Sequence, residues 1–351
     1  MLFQIRLCLL SLALSGGALV FAVPAQAAEK VSLQLKWTHA FQFAGYYAAR
    51  ELGYYNEAGL DVRIEEAAPD TNVVDKVVSG AADFGVGTSS LLLEHKAGKP
   101  VVVLASICQH SPQVLIAARK GDTQSVHDLA GKQIMFEHLS EELHAYLKRE
   151  GVPLDSIRQV EHAFDPADLI AGRVDAISAY VTTEPFFLKQ AGFDYLVFTP
   201  RSAGIDFYGD NLFTSEQFLR KHPDQVQAFR AASLRGWEYA MAHQDEIIDL
   251  IVRKYAPNLS HEFLRFEAAQ MVPLIRADLV PLGYMNPGRW RHIADTYAEI
   301  GMLPKEQSLD DFIYQVDSEA AFRRLSLYLI VSLVCLGVIS GIALYGARLN
   351  R

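Results

Sequence analysis

Short β-rich runs alternate with helical stretches along most of this chain, and the alternation starts twice. Strands are expected at 31–36, 60–65, 82–85 and 101–107, separated by helices at 42–52, 73–78 and 89–97. A βαβα order of this kind implies α/β architecture with largely parallel sheets covered by helices. The pattern begins again at 114–118, with strands at 133–136, 174–179 and 195–198 around helices near 141–149 and 184–190. A strand at 211–214 then reads as a return to the first unit. A mainly helical tail follows at 223–242, 245–255, 260–276 and 287–300. The expectation is two lobes, one from about 29–112 and 206–315, the other from about 113–205. Two interlobe crossings would make a hinged cleft that closes over ligand.

The two ends differ from this body. Residues 1–28 read as a secretory signal, with Arg6 in the n-region, an apolar run at 7–23 and Ala25-Gln26-Ala27 as the small-residue cleavage site. Cys8 lies at the start of the apolar run and not after it, and so makes a poor lipid anchor. A second apolar run, 325–347, carries no charge. As a helix it would span roughly 35 Å, enough to cross a bilayer with some tilt. Arg323 and Arg324 flank one end and Arg348 and Arg351 the other, so local charge does not set its orientation. The signal does, leaving the body (29–320) exported and only 348–351 as a short cytoplasmic tail. A buried core helix is the alternative, and the complete lack of charge argues against it.

Removing the five basic residues outside the body from the total of 32 leaves 27 against 41 acids, a formal charge of −14. Such a surface repels nucleic acid and anionic lipid, and remains compatible with neutral or cationic solutes. Cys108 is the lone cysteine of the exported body, since Cys8 and Cys335 fall in the apolar ends. No intramolecular disulfide or cysteine-based zinc site is therefore possible there.

The stretch Leu35-Lys36-Trp37-Thr38-His39-Ala40-Phe41-Gln42-Phe43-Ala44-Gly45-Tyr46-Tyr47 follows the first strand and leads into a helix. Ligands of α/β proteins sit at the carboxyl ends of strands. Trp37 and Phe41 offer flat apolar faces there and Gln42 an amide, which suits a small flat ring better than a sugar phosphate. Trp37 is read as a ligand stack in preference to a core tryptophan. Phe41 and Tyr46 stand equally as ligand contacts or as packing beneath the helix. His39 reads as a loop hydrogen-bonder.

Four other turns offer polar groups. Gly85-Val86-Gly87-Thr88-Ser89-Ser90 joins a strand to a helix, so Gly87 permits close backbone approach and Thr88 or Ser89 can cap the helix or donate to ligand. Glu137, Glu141 and Glu142 gather at the equivalent turn of the second lobe, where they would repel a phosphate. Helix-dipole compensation is the alternative for Glu141 and Glu142. Tyr180 and Glu184 bracket a strand-to-helix turn that should face the cleft. Asp206 and Tyr208 lie at the return crossing, as ligand contacts or as hinge residues. No G-x-S-x-G, H-E-x-x-H or P-loop is present. Glu141 and His144 have helical i, i+3 spacing but no second such pair, so a solvated face is expected in place of a metal site.

Trp37…Gly45-Tyr46-Tyr47-Ala48-Ala49…Gly53-Tyr54-Tyr55…Gly59-Leu60-Asp61-Val62 resembles periplasmic solute-binding proteins for the pyrimidine precursor of thiamine, part of the group that includes sulfonate- and taurine-binding proteins. Val78-Ser79-Gly80-Ala81-Ala82-Asp83-Phe84-Gly85, Leu129-Ala130-Gly131-Lys132 and Gly172-Arg173-Val174-Asp175-Ala176 continue the match in order. The resemblance implies a type 2 periplasmic-binding fold, here with a C-terminal transmembrane helix in the inner membrane. It implies a small heteroaromatic solute, an unphosphorylated thiamine pyrimidine precursor, and an ABC permease as partner, with no cofactor or metal. Asp206 and Tyr208 would then meet the exocyclic amine or a ring nitrogen. Related domains also precede cyclase or kinase modules, so a sensor half of a split or shortened receptor is the second expectation. Enzymes that make the thiamine pyrimidine phosphate share the fold, using a lysine, a histidine and a cysteine-rich segment. The matching positions here are Gly87, Leu91 and the cysteine-free stretch 205–210, which speaks against catalysis.

Overall fold

A computed structural model of the chain describes residues 28–119, 123–163, 165–305, 308–315 and 330. The expected signal (1–28) lies outside these residues except for Ala28, and the apolar run 325–347 except for Ile330. Among the described residues no helix is long and apolar enough to cross a membrane.

Two five-stranded sheets form the framework. The first contains β1 (Glu29–Gln34), β2 (Leu60–Glu65), β3 (Phe84–Gly87), β4 (Val101–Cys108) and β10 (Gly209–Ser215), in the order β2-β1-β3-β10-β4. The second contains β5 (Gln113–Ala118), β6 (Gln133–Phe136), β7 (Arg158–Glu161), β8 (Ala176–Tyr180) and β9 (Tyr195–Phe198), ordered β7-β6-β8-β5-β9. The sheets are more mixed than the βαβα pattern predicts. β1 pairs with β2 and β3 in parallel and β6 with β7 and β8 in parallel, but β10 and β5 run antiparallel to both their neighbours. Those two are the strands that directly follow a crossing between sheets. Each enters its sheet from the cleft side, so it runs against strands that end at the cleft.

The two crossings lie side by side. Cys108 pairs with Gly209, and the Ser111 amide donates to the Phe207 carbonyl at 2.9 Å. A Cβ on Gly209 would come within 2.5 Å of the Pro112 ring and 3.1 Å of the Ser111 Cα, so glycine is what lets the crossings touch.

Matching motifs tie each sheet together. Gly80 and Gly172 both adopt left-handed backbone, with φ of 78° and 71°. Three residues later, Asp83 accepts from the Ser32 amide at 2.7 Å and Asp175 accepts from the Gln133 amide at 3.0 Å. Both acids clamp neighbouring strands.

The helix Ala44–Glu51 crosses the long helix Pro223–Ala242 at Gly45 and Gly236. A Cβ on Gly236 would lie 2.1 Å from the Gly45 carbonyl oxygen, and one on Gly45 would overlap the Trp237 ring. This close approach anchors the segment that follows Trp37. The helices Pro223–Ala242, Gln244–Lys254 and His261–Ile275 extend the core of the first sheet through Trp237, Ile247, Ile251, Leu264 and Met271, whereas Pro287–Glu299 packs through Trp290 and Ile293 in a cluster that holds residues of both sheets.

Candidate functional site

Strand ends from both sheets converge on one interlobe cleft. Its open part holds about 460 Å3 and is lined by Asn72 and Val73 from the first lobe, and by Phe136, Glu137, Leu139 and His162 from the second, among others. Its inner part is contracted to about 10 Å3, room for one water. Trp37 and Gln42 form one wall of this chamber, and Glu137, Tyr180, Thr183 and Glu184 the other. Lys36 and Glu137 line both parts.

Trp37 follows β1 by three residues. Its carbonyl still accepts from the Ala67 amide at 3.1 Å, extending the β1–β2 pairing to the cleft edge. Its ring faces that of His162, with centroids 5.7 Å apart, across the interlobe gap. Burial pushes the His162 imidazole down, favouring its neutral form. Gln42 is buried beside Trp37, and its Nε2 has no hydrogen-bond partner among the described residues.

Lys36 is the only lysine or arginine lining either part of the cleft among the described residues. Its ammonium lies 3.4 Å from Asp210 Oδ1 and 3.9 Å from the centroid of the Tyr180 ring. The Tyr180 hydroxyl donates to the same Asp210 oxygen at 3.4 Å. Asp210 is 1% exposed and sits in left-handed backbone at φ 50°, a conformation that acidic residues tolerate better than most. Burial pushes its carboxyl up, while Lys36 opposes the shift.

Three further buried carboxyls surround this centre. Glu184, at the start of the helix Glu184–Gln190, accepts from the Tyr180 amide at 2.8 Å, and burial pushes it up to about 8. Glu267, on the helix His261–Ile275, accepts from the Phe41 amide at 2.6 Å and the Gln42 amide at 3.3 Å. It is likewise pushed by burial to about 8. Glu142 is buried beside Ser111 near the crossings and also lies at about 8 for the same reason. Burial thus favours the protonated form of all three carboxyls.

The remaining candidates fall in several places. Phe41 and Tyr46 are buried in the first-lobe core, Tyr46 edge-on to Trp237 at 5.8 Å. A Cβ on Gly87 would meet Leu91 at 3.0 Å, so its contacts lie within its own turn. The Thr88 hydroxyl donates to the Leu139 carbonyl at 2.8 Å, joined by Ser90 Oγ and Gln113 Nε2, each at 3.3 Å. Thr88 and Ser90 therefore reach across the gap and bind the lobes to each other. Ser89 Oγ donates to the Tyr208 carbonyl at 2.7 Å.

Asp206 takes the hinge alternative expected of it and not the ligand contact. Its carboxylate meets His110 Nδ1 at 2.9 Å, Arg289 at 3.2 Å and Arg201 at 3.6 Å. It links the two crossings, outside either part of the cleft. Tyr208 accepts from the Asn286 amide at 2.9 Å, with the Arg289 guanidinium over its ring. The carboxylate that reaches the cleft centre from this segment is Asp210. Alternation along a strand carries no mark for a left-handed residue, so nothing in the segment 205–211 singles out Asp210 over Asp206. Glu141 and His144 differ from the solvated face expected of them. Both line the cleft mouth, with His144 set edge-on against Phe136 at 4.6 Å. No group of three metal-ligating side chains occurs among the described residues. His39 bonds to the Tyr47 hydroxyl at 2.9 Å, away from the cleft lining.

The chamber thus sets the Trp37 ring and the Gln42 amide opposite Glu137, Tyr180 and Glu184 of the second lobe. Comparison with known proteins agrees in fold and family. The formylaminopyrimidine-binding protein of Halalkalibacterium halodurans is 26% identical over 234 residues, 65% of this chain and 71% of that protein. The riboflavin-binding protein RibY of Chloroflexus aurantiacus is 26% identical over 290 residues, 78% and 82% of the two chains. A 4-amino-5-hydroxymethyl-2-methylpyrimidine phosphate synthase of Legionella pneumophila is 25% identical over 232 residues, covering 63% of this chain and 72% of the enzyme. Among solved structures, a Bordetella bronchiseptica protein superposes with a TM-score of 0.67 at 17% identity, over 86% of this chain and 99% of its own. The aliphatic sulphonate-binding protein SsuA of Escherichia coli gives 0.58 at 16%, over 82% and 92%. The two lobes therefore form a periplasmic-binding-protein fold, and structural neighbours are mainly solute-binding proteins. The family model described as NMT1/THI5 like matches residues 40–247, more than half the chain, and the chain belongs to that family.

Proposed function

We propose that this protein binds a small heteroaromatic solute outside the cytoplasm, and that the solute is an unphosphorylated thiamine pyrimidine precursor. The observation that carries the reading is the chamber formed by Trp37, Gln42, Tyr180 and Glu184. It offers an aromatic face, an unpartnered amide and carboxyls suited to an aminopyrimidine's donors and acceptors. Glu137, Glu141 and Glu161 at the mouth disfavour a phosphate. The formylaminopyrimidine-binding relative supports the same class of ring.

The inner chamber is too small for a ring while the lobes touch, so uptake requires them to part at the paired crossings. Nothing in this cycle needs bond chemistry. Gly87 and Leu91 stand where the synthase pattern places its lysine and histidine, and their side chains can supply neither nucleophile nor proton. Delivery to an ABC permease is the favoured role, with the body tethered to the inner membrane through 325–347. The sensor alternative draws on that same apolar run.

Calorimetric titration of the full chain in detergent micelles tests the reading. Heat with 4-amino-5-hydroxymethyl-2-methylpyrimidine, and none with an alkanesulfonate, is expected. Binding of the sulfonate alone would overturn the assignment.

A further inference from the structure

We infer that the Lys36 ammonium occupies, in the closed cleft, the place taken by a positive charge on the solute, so that the solute is recognised as a cation and displaces Lys36. This deepens the ring-binding reading of the cleft and rests on it.

A ring face and a buried carboxylate together make a cation site. Tyr180 supplies the face at 3.9 Å, and Asp210 supplies the carboxylate at 3.4 Å. Asp210 Oδ2 is buried with no hydrogen-bond partner among the described residues, so the site has an acceptor that Lys36 does not use. Lys36 comes from the first lobe and Tyr180 from the second, which makes the ammonium a bridge across the contracted chamber. A lysine has a flexible stem and can withdraw. Lys36 also lines the open mouth, which gives it somewhere to go.

Charge balance points the same way. Glu137, Glu141 and Glu161 line the mouth, and among the described residues Lys36 is the single lysine or arginine that lines the mouth or the chamber, while Glu94 pairs with Lys99. A neutral solute that displaced the ammonium would leave Asp210 buried and uncompensated, which is costly. A cationic solute replaces the lost charge. The opposite arrangement, with Lys36 as the receptor for an anion, would require the solute to enter among these carboxylates.

Benzamidine and benzamide separate the possibilities, because they are flat rings of nearly equal shape and only benzamidine is cationic at neutral pH. The full chain in detergent micelles is titrated with each. The wild-type protein is expected to bind benzamidine in preference to benzamide. Lys36→Met removes the internal competitor and should tighten benzamidine binding about tenfold. Asp210→Asn keeps the shape, and asparagine tolerates the backbone there, so the preference should vanish while the melting temperature reports folding. Equal binding of the two probes by wild type, or weaker benzamidine binding by Lys36→Met, would each overturn the inference. An aminopyrimidine that binds while benzamidine shows no advantage leaves the ring-binding reading intact and removes only this one. Failure of all the rings in every variant removes both.

Discussion

The two walls of the cleft are built alike and furnished differently. In each sheet a left-handed glycine, Gly80 or Gly172, precedes an aspartate that clamps adjacent strands, Asp83 or Asp175. Beyond these clamps the walls diverge. The first lobe brings Lys36, Trp37 and the Gln42 amide to the chamber, whereas the second brings Glu137, Tyr180 and Glu184. One wall is aromatic and cationic, the other acidic. The lesson is that the scaffold repeats while specificity lies in the few residues past each strand end. Closing the lobes puts opposite charges against each other in a water-poor space, where they interact more strongly than at a surface.

Breaking the aromatic side should have the largest effect. Trp37→Ala removes the broad face, and a loss of roughly 2–3 kcal/mol, about 30- to 150-fold in Kd for the aminopyrimidine, is expected by calorimetry. An unchanged affinity would return Trp37 to a packing role.

The acidic groups can be tested through pH. Glu142, Glu184 and Glu267 lie at about 8 in the folded protein, well above the ordinary glutamate value of 4.5. Between those limits the folded state holds protons that the unfolded chain has released. Their contribution to stability is therefore complete below about pH 4.5 and lost as pH rises through about 8. Glu267→Gln keeps the shape of the carboxyl without its titration. Urea unfolding of this variant from about pH 5 to about pH 8 should show a shallower fall in stability than wild type, and an identical slope would contradict the assignment.

Lobe closure depends on smaller terms. Thr88→Val deletes the hydroxyl that binds the Leu139 carbonyl, for a loss of about 1 kcal/mol in the closed form. Small-angle scattering should show a larger radius of gyration in the absence of solute, and an unaltered curve would mean closure does not rely on this bond. Asp206→Asn should matter least. Its ion pairs are partly exposed, so at most about 1 kcal/mol of stability is at stake. Solute affinity should hold steady, and a tenfold loss would restore Asp206 to the binding site.

Much of the fold was legible along the chain. The helices Glu141–Arg149, Glu184–Gln190 and Pro223–Ala242 and the strands Leu60–Glu65 and Gln133–Phe136 follow from periodicity and from the glycine and proline boundaries. The short strand Arg158–Glu161 escaped notice because only Val160 in it is apolar and it lies at a sheet edge. Within the site, Trp37, Gln42, Glu137, Tyr180 and Glu184 were visible as strand-end residues and do meet in one chamber. Lys36 and Asp210 were overlooked. Each reads as an ordinary charged residue in its own segment, and only their pairing removes both from water.

The amino-acid sequence by itself determined the two-sheet plan and which turns could face a cleft, because propensity, alternation and glycine placement are local properties. The tertiary structure alone decided the Lys36–Asp210–Tyr180 centre, the reach of Thr88 and Ser90 to Leu139, and the ion pairs of Asp206 with His110 and Arg289. Those contacts join segments that meet only when the chain has crossed twice and the lobes have closed. Buried polar partners also leave no periodic trace in the segments that carry them.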